Sequence, residues 1–184
     1  MLKVTGGNNL IDVNLILTKS DIHEGMRVAD LGCGATGHFV FPTALLTGRK
    51  GKVYAVDILK TVLETVEKRR KQEGLENVES VWSDLEVFGA TKIESNSLDL
   101  AFLINTLYLS DKKYEMMREA VRLLKNGSRL LVVEWKNTAL PLGPSIENRV
   151  KEDFIKTSAK NLGLQLVDEF EAGPYHYGMI FEKL

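Results

Sequence analysis

The sequence contains one cysteine, Cys33, among 184 residues. A lone thiol excludes an intramolecular disulfide framework and any cysteine-based zinc cluster, and it suits a reducing compartment. No metal site is expected. No stretch approaches the roughly 20 apolar residues that a membrane-spanning helix needs. The first residues lack the basic region, apolar run and small-residue cleavage site of a secretory signal, so a cytoplasmic setting is expected. Four prolines and 15 glycines are too few for a fibrous or disordered chain. Neither sign of charge dominates, because 24 basic and 25 acidic residues give a formal net charge of -1. Without a global positive field, nucleic acid is not the expected partner. The densest charged run, Glu67 to Lys71, reads as a solvated helix face.

What is present is ordinary globular chemistry, 44% hydrophobic and 27% charged. The length fits one domain over residues 1–184 with a core large enough to bury a nucleoside. The apolar stretch Leu10 to Leu17 predicts an N-terminal helical segment at about 10–20, packed beside the ligand. Strands are predicted over Met26–Leu31, Lys52–Val56, Val78–Trp82, Leu98–Asn105, Arg129–Val133, Leu164–Phe170 and Gly178–Glu182. Helices are predicted over about Gly37–Thr47, from Leu59 to a stop at Gly74, over Asp111–Lys125 with a stop at Gly127, and over about Lys151–Leu162. Pro42 inside the first of these calls for a kink or a late start. The alternation of strand and helix implies right-handed crossovers and a doubly wound, mostly parallel α/β sheet of Rossmann-like type. The final two strands have too short a link for a crossover and must run antiparallel.

In such a sheet, ligands bind beyond the carboxyl ends of the strands, so strand-ending residues belong together. They are Asp30 with the loop Gly32-Cys33-Gly34-Ala35-Thr36-Gly37, then Asp57, Ser83-Asp84, Asn105 and Glu134-Trp135. Gly32, Gly34 and Gly37 form G-x-G-x-x-G between a strand and a helix, which lets a nucleotide approach bare backbone. Asp57, twenty residues beyond Gly37, suits both ribose hydroxyls. The same features fit an NAD(P)-dependent oxidoreductase, and Asp30 is what discriminates. A carboxylate there repels a pyrophosphate but suits the ammonium of an amino-acid moiety.

The runs Val28-Ala29-Asp30-Leu31-Gly32-Cys33-Gly34 and Val53-Tyr54-Ala55-Val56-Asp57 resemble class I S-adenosylmethionine-dependent methyltransferases over nearly the whole chain. The loop Leu142-Gly143-Pro144 and the segment Gly173 to Gly178 are similar to small members related to ubiquinone and menaquinone biosynthesis methyltransferases. The resemblance implies a seven-stranded sheet with an antiparallel last strand, S-adenosylmethionine as cofactor and S-adenosylhomocysteine as product. It further implies that Gly32, Cys33, Gly34 and Gly37 pass under the methionine part and that Ile58 covers the adenine. Asp84 would accept from the adenine amino group with Ser83 beside it, and Asn105, through its backbone carbonyl, would lie near the ammonium and the reacting methyl. Two features depart from the family pattern. The glycine loop is one residue longer than in many members. Asn105-Thr106-Leu107-Tyr108 is also not the Asn-Pro-Pro-Tyr of nucleic-acid amino-group methyltransferases, which counts against a base as acceptor.

The expected acceptor is a small molecule, hydrophobic or quinone-like, given the apolar stretches Leu103–Leu109 and Ala139–Leu142. Tyr108 and Tyr175 are expected beside it. A sixth strand parallel to the others would carry His176 to the cofactor edge, where a group titrating near 6.5 could serve as general base. A structural turn histidine is the alternative reading. His23 and His38 have weaker claims, and Cys33 reads as a small residue in a crowded loop. A noncatalytic cofactor-binding or interaction module stays open beside the enzyme readings.

Overall fold

Side chains alternate between the faces of a strand, so a strand buried on both sides must be apolar at consecutive positions. The run Leu100-Ala101-Phe102-Leu103 meets that demand, and all four residues are buried. The computed structural model describes residues 10–138 and 142–184. Its strands are β1 (Arg27–Leu31), β2 (Lys52–Asp57), β3 (Val78–Trp82), β4 (Leu98–Ile104), β5 (Leu124–Trp135), β6 (Leu164–Gly173) and β7 (His176–Lys183). They form one seven-stranded sheet in the order β3-β2-β1-β4-β5-β7-β6. The pairs β1–β2, β2–β3, β1–β4 and β4–β5 are parallel. Strand β7 lies antiparallel between β5 and β6. The strand order reverses between β1 and β4, which opens a crevice at their carboxyl ends.

The helices are α1 (Val13–Lys19), α2 (Val40–Thr47), α3 (Lys60–Glu73), α4 (Lys113–Leu123) and α5 (Glu152–Asn161). On one face, Met117 and Ala120 of α4 and Ile155 and Ala159 of α5 pack on Ala29, Ala101, Leu103 and Val132. On the other, α1 brings Ile16 to Val28, Leu100, Phe102 and Leu131, while α2 and α3 cover Val53 and Ala55. Neighbouring strand residues therefore supply opposite halves of the core. Each fully buried aliphatic or phenyl side chain contributes roughly 1.5–3 kcal/mol by leaving water.

Several predicted boundaries need correction. Helix α2 takes the late start that Pro42 called for, at Val40 and not Gly37, which puts Pro42 in the first turn, where its missing N–H costs no intrahelical bond. Helix α4 ends at Leu123 and β5 begins at the next residue, so Gly127 is not the helix stop. Gly127 lies in an irregular opening of β5, where the ladder jumps from Leu98–Leu124 to Leu100–Arg129. The closing hairpin is tighter than expected, because β6 runs to Gly173 and β7 starts at His176. The polar side of α4 also hides a charge. Glu119 is fully buried and accepts hydrogen bonds from the Gly89 N–H at 2.7 Å and the Thr91 N–H at 3.0 Å. Burial opposes its ionisation, but these donors and the Arg122 guanidinium outweigh it and hold the carboxyl down at about 2. It thereby fastens the loop after β3.

Candidate functional site

The carboxyl ends of β1, β2 and β4, with the segment after β3, surround a cavity of about 470 Å³. That size lies within the usual range for a site holding a nucleoside-sized ligand. Asp30, Gly32, Cys33, Gly34, Asp57, Ile58, Ser83, Asp84 and Asn105 all line it. Nine of the expected cofactor residues thus meet around one space. Gly37 is the exception. The ring of Phe41 stands 2.6 Å from where its Cβ would be, so Gly37 closes the loop onto α2 and does not face the cavity.

Gly32 owes its identity to a neighbour. Its φ is +87°, and an added Cβ would lie 2.5 Å from Cγ2 of Thr106. Thr106 in turn donates its hydroxyl to the Leu31 or Ile104 carbonyl, each at 3.1 Å. The threonine thus fills the floor under the glycine, tying the end of β4 to the end of β1. Asp57 is already engaged with backbone, accepting from the Gly34 N–H at 3.1 Å and the Leu59 N–H at 2.9 Å. Each carboxylate oxygen keeps a further lone pair for a ligand hydroxyl. Asp84 accepts from the Glu86 N–H through one oxygen. The Ser83 hydroxyl bonds to that of Thr91 at 2.9 Å. The indole N–H of Trp82 donates to the Ile58 carbonyl and steadies that residue at the rim.

The site has its own electrostatic demand. Asp30 is 3% exposed, and burial, with the charge of Asp57 added, raises its carboxyl to about 7. Burial and the same two acids push the Cys33 thiol far above its ordinary value, leaving it without nucleophilic character near neutrality. A cation placed beside Asp30 would relieve both the burial cost and the repulsion. An ammonium or sulfonium meets that demand, and a pyrophosphate aggravates it. The residues present therefore fit the expected cofactor.

The remaining expectations fare differently. His176 is fully buried and lies outside the cavity lining. Burial lowers its pKa to about 4, with Lys136 and Arg149 adding to the effect against the Leu10 hydrogen bond. A general base must reach the proton it removes, so this placement argues against that role. His38, given a weaker claim from the sequence, does line the cavity. Tyr108 is also outside the lining; its N–H donates to Glu134 while its ring packs on the core beneath α4 and α5. Tyr175 sits at the hairpin tip, its carbonyl accepting from the Lys136 N–H at 2.9 Å. Of the expected acceptor loop Ala139–Leu142, residues 139–141 lie outside the described residues.

Three organising residues have roles that sequence reasoning missed, although Glu134 already stands among the strand-ending residues. Glu134 is fully buried and accepts from the N–H groups of Leu107 at 2.8 Å and Tyr108 at 3.3 Å. It thus holds the 3-10 turn Leu107–Leu109 after β4. Burial raises its carboxyl to about 7 despite those bonds. Arg149 gathers the carbonyls of Lys136, Thr138, Leu142 and Pro144, pinning the loop after β5. Thr106 is the third. No spacing rule reveals these contacts, since each residue acts on backbone groups.

Comparison with known proteins agrees with this geometry. A family model described as "Methyltransferase domain" matches residues 22–171. The chain is 30% identical over 160 residues to the ubiquinone/menaquinone biosynthesis C-methyltransferase of Francisella tularensis subsp. tularensis (strain WY96-3418), covering 86% of this chain and 61% of that protein. It is 28% identical over 118 residues to the demethylmenaquinone methyltransferase of Lactococcus lactis, covering 64% of this chain and 45% of that protein. The chain thus spans about three fifths or less of the length of these curated relatives. Among solved structures, a SAM dependent methyltransferase from Aquifex aeolicus superposes with a TM-score of 0.85 at 25% identity, covering 96% of this chain and 92% of that one. A family match over most of its length, joined to this sheet order, shows that the chain belongs to the methyltransferase domain family, among the class I S-adenosylmethionine-dependent methyltransferases.

Proposed function

We propose that the chain transfers a methyl group from S-adenosylmethionine to a small, partly apolar acceptor. The observation that carries this reading is the buried Asp30 carboxyl on the wall of a nucleoside-sized cavity that also holds Asp57. When bound, the cofactor supplies a sulfonium-activated methyl group. The chain's part is to bind and orient. Asp30 would face the methionine ammonium, Asp57 the ribose hydroxyls, Asp84 with Ser83 the adenine edge, and Ile58 the adenine face. Gly32, Cys33 and Gly34 would present backbone to the methionine part, with Asn105 beside the reacting methyl.

Much of the rest of the cavity wall is apolar. Ile11, Phe39, Ile104, Leu109 and Met116 line it, and such a surface excludes water and favours a hydrophobic acceptor. The quinone biosynthesis relatives support a quinone-like ring as that acceptor. His38 replaces His176 as the histidine able to meet the acceptor directly. No helix among the described residues is long and apolar enough to cross a membrane, and a cytoplasmic setting is part of the proposal.

The test has two steps. Thermal-shift titration with S-adenosylmethionine, S-adenosylhomocysteine, NAD and NADP should show stabilisation by the first two alone. Labelled S-adenosylmethionine should then pass its methyl to a reduced demethylated naphthoquinone and not to RNA or DNA. Stabilisation by NAD above both sulfur compounds would replace the reading with an oxidoreductase. Tight cofactor binding without transfer to any of a panel of small acceptors would favour a binding module.

A further inference from the structure

His176 joins parts of the chain that lie 166 and 71 residues away from it. Its Nδ1 is 3.1 Å from the Leu10 carbonyl oxygen, and its Nε2 is 3.1 Å from Nδ2 of Asn105. A carbonyl only accepts, so Nδ1 carries the hydrogen. In a neutral ring Nε2 is then bare and accepts from the Asn105 amide. The two partners thereby select one tautomer. The Trp135 ring, 4.1 Å away between centroids, covers the imidazole.

One end of this bridge lines the cavity and the other adjoins it. Leu10 precedes Ile11, and Ile11 and Asn105 both line it. The Leu10 carbonyl is pressed onto the hairpin, since a Cβ at Gly173 would stand 2.2 Å from its oxygen. Two residues on, the Asp12 N–H donates to the Ala172 carbonyl at 2.8 Å. The Asp12 side chain then accepts from the Leu15 N–H at 2.9 Å and starts α1. At the other end, Asn105 has a left-handed φ of 52°. Its Oδ1 is buried without a hydrogen-bond partner among the described residues. The bond to His176 thus decides which way that amide faces.

We propose that His176 is a positioning residue, a neutral bridge that closes the N-terminal segment against the cavity and fixes the Asn105 amide behind its wall. Ligand contact at Asn105 and closure of residues 10–19 are then linked through one imidazole, and each must strengthen the other. The inference rests on the proposed function only for the identity of the ligand.

Variants of His176 separate the two halves of the bridge. His176→Asn keeps a donor near the Nδ1 position, His176→Gln keeps an acceptor near Nε2, and His176→Phe keeps a ring with neither. Gly173→Ala displaces the Leu10 carbonyl without touching the imidazole. Nitrogen-15 imidazole spectra of the wild-type protein at neutral pH should show a neutral His176 protonated on Nδ1. In the unliganded protein, His176→Phe and Gly173→Ala should speed amide exchange across residues 11–19 by about tenfold, the equivalent of one hydrogen bond, and His176→Asn should restore slow exchange. His176→Phe should also weaken S-adenosylhomocysteine binding, with His176→Gln recovering part of the loss. A cationic or Nε2-protonated ring in the wild-type spectrum would overturn the bridge, even if His176→Phe failed to fold. Exchange that rises evenly along the whole chain, without rescue by His176→Asn, would overturn it in favour of a plain packing role. If S-adenosylhomocysteine does not bind the wild type, the cofactor reading falls, while the spectrum and the unliganded exchange still decide the bridge.

Discussion

At the scale of single residues, the site is governed by two acids that share one cavity. Asp57→Ala should weaken S-adenosylhomocysteine binding by about 1–3 kcal/mol, the range for losing charge-assisted hydrogen bonds. Calorimetry checks this, and unchanged affinity in a folded variant would remove Asp57 from the ribose site. Asp30 and Glu134 set a pH dependence of definite sign. Their folded carboxyls are raised to about 7, whereas unfolded ones titrate at about 4. Between these limits the folded state holds protons that the unfolded state has lost. Their contribution to stability is therefore complete below about 4 and is lost as pH rises through about 7. Thermal melts of the unliganded protein from weakly acidic to weakly basic pH should fall accordingly, and Asp30→Asn should flatten the slope. The ligand reverses the preference at Asp30. A cation beside it favours the ionised form, so binding should release a proton and tighten as pH rises through about 7. Calorimetry in two buffers of different ionisation enthalpy would expose the release, and proton uptake would contradict an ammonium at Asp30.

At the scale of elements, the loop after β5 depends on one guanidinium. Arg149→Met should cost about 1.5–3 kcal/mol, the range for a hydrogen bond to a charged group, seen as a lower urea midpoint at unchanged slope. An unchanged midpoint would mean that water satisfies the freed carbonyls. Strands are more legible in the sequence than the loops that such side chains pin. An apolar run ending in Asp or Asn marks both the strand and its carboxyl edge, so Asp30, Asp57, Asp84 and Asn105 can be gathered from the sequence. The short link after β6 likewise dictated an antiparallel return. Leu123 and Leu124 are different, because an apolar pair serves the buried face of a helix as well as the first rung of a strand. Gly127 then resembles a helix stop although the helix has already ended. His176 misled for another reason. Strand direction places the hairpin tip at the site edge, but whether a side chain there faces the ligand or the interior depends on Leu10 and Asn105, which local spacing does not connect.

At the scale of the whole molecule, ligand binding should register as global stability, because the cavity draws on β1, β2, β4 and the segment after β3 together. At a hundredfold excess over Kd, one site contributes about 2.7 kcal/mol, or roughly 5–10 °C in Tm for a domain of this size. A shift confined to S-adenosylmethionine and S-adenosylhomocysteine is expected. The buried thiol of Cys33 extends this to kinetics. It is the chain's one cysteine, lies 7% exposed on the cavity wall and sits at the centre of the sheet edge. A thiol held so far from ionisation reacts only when the glycine loop swings away from its acids, so alkylation acts as a clock for that opening, with no second sulfhydryl to blur it. Its rate against denaturant should separate a local excursion of the loop, insensitive to urea, from unfolding of the whole sheet.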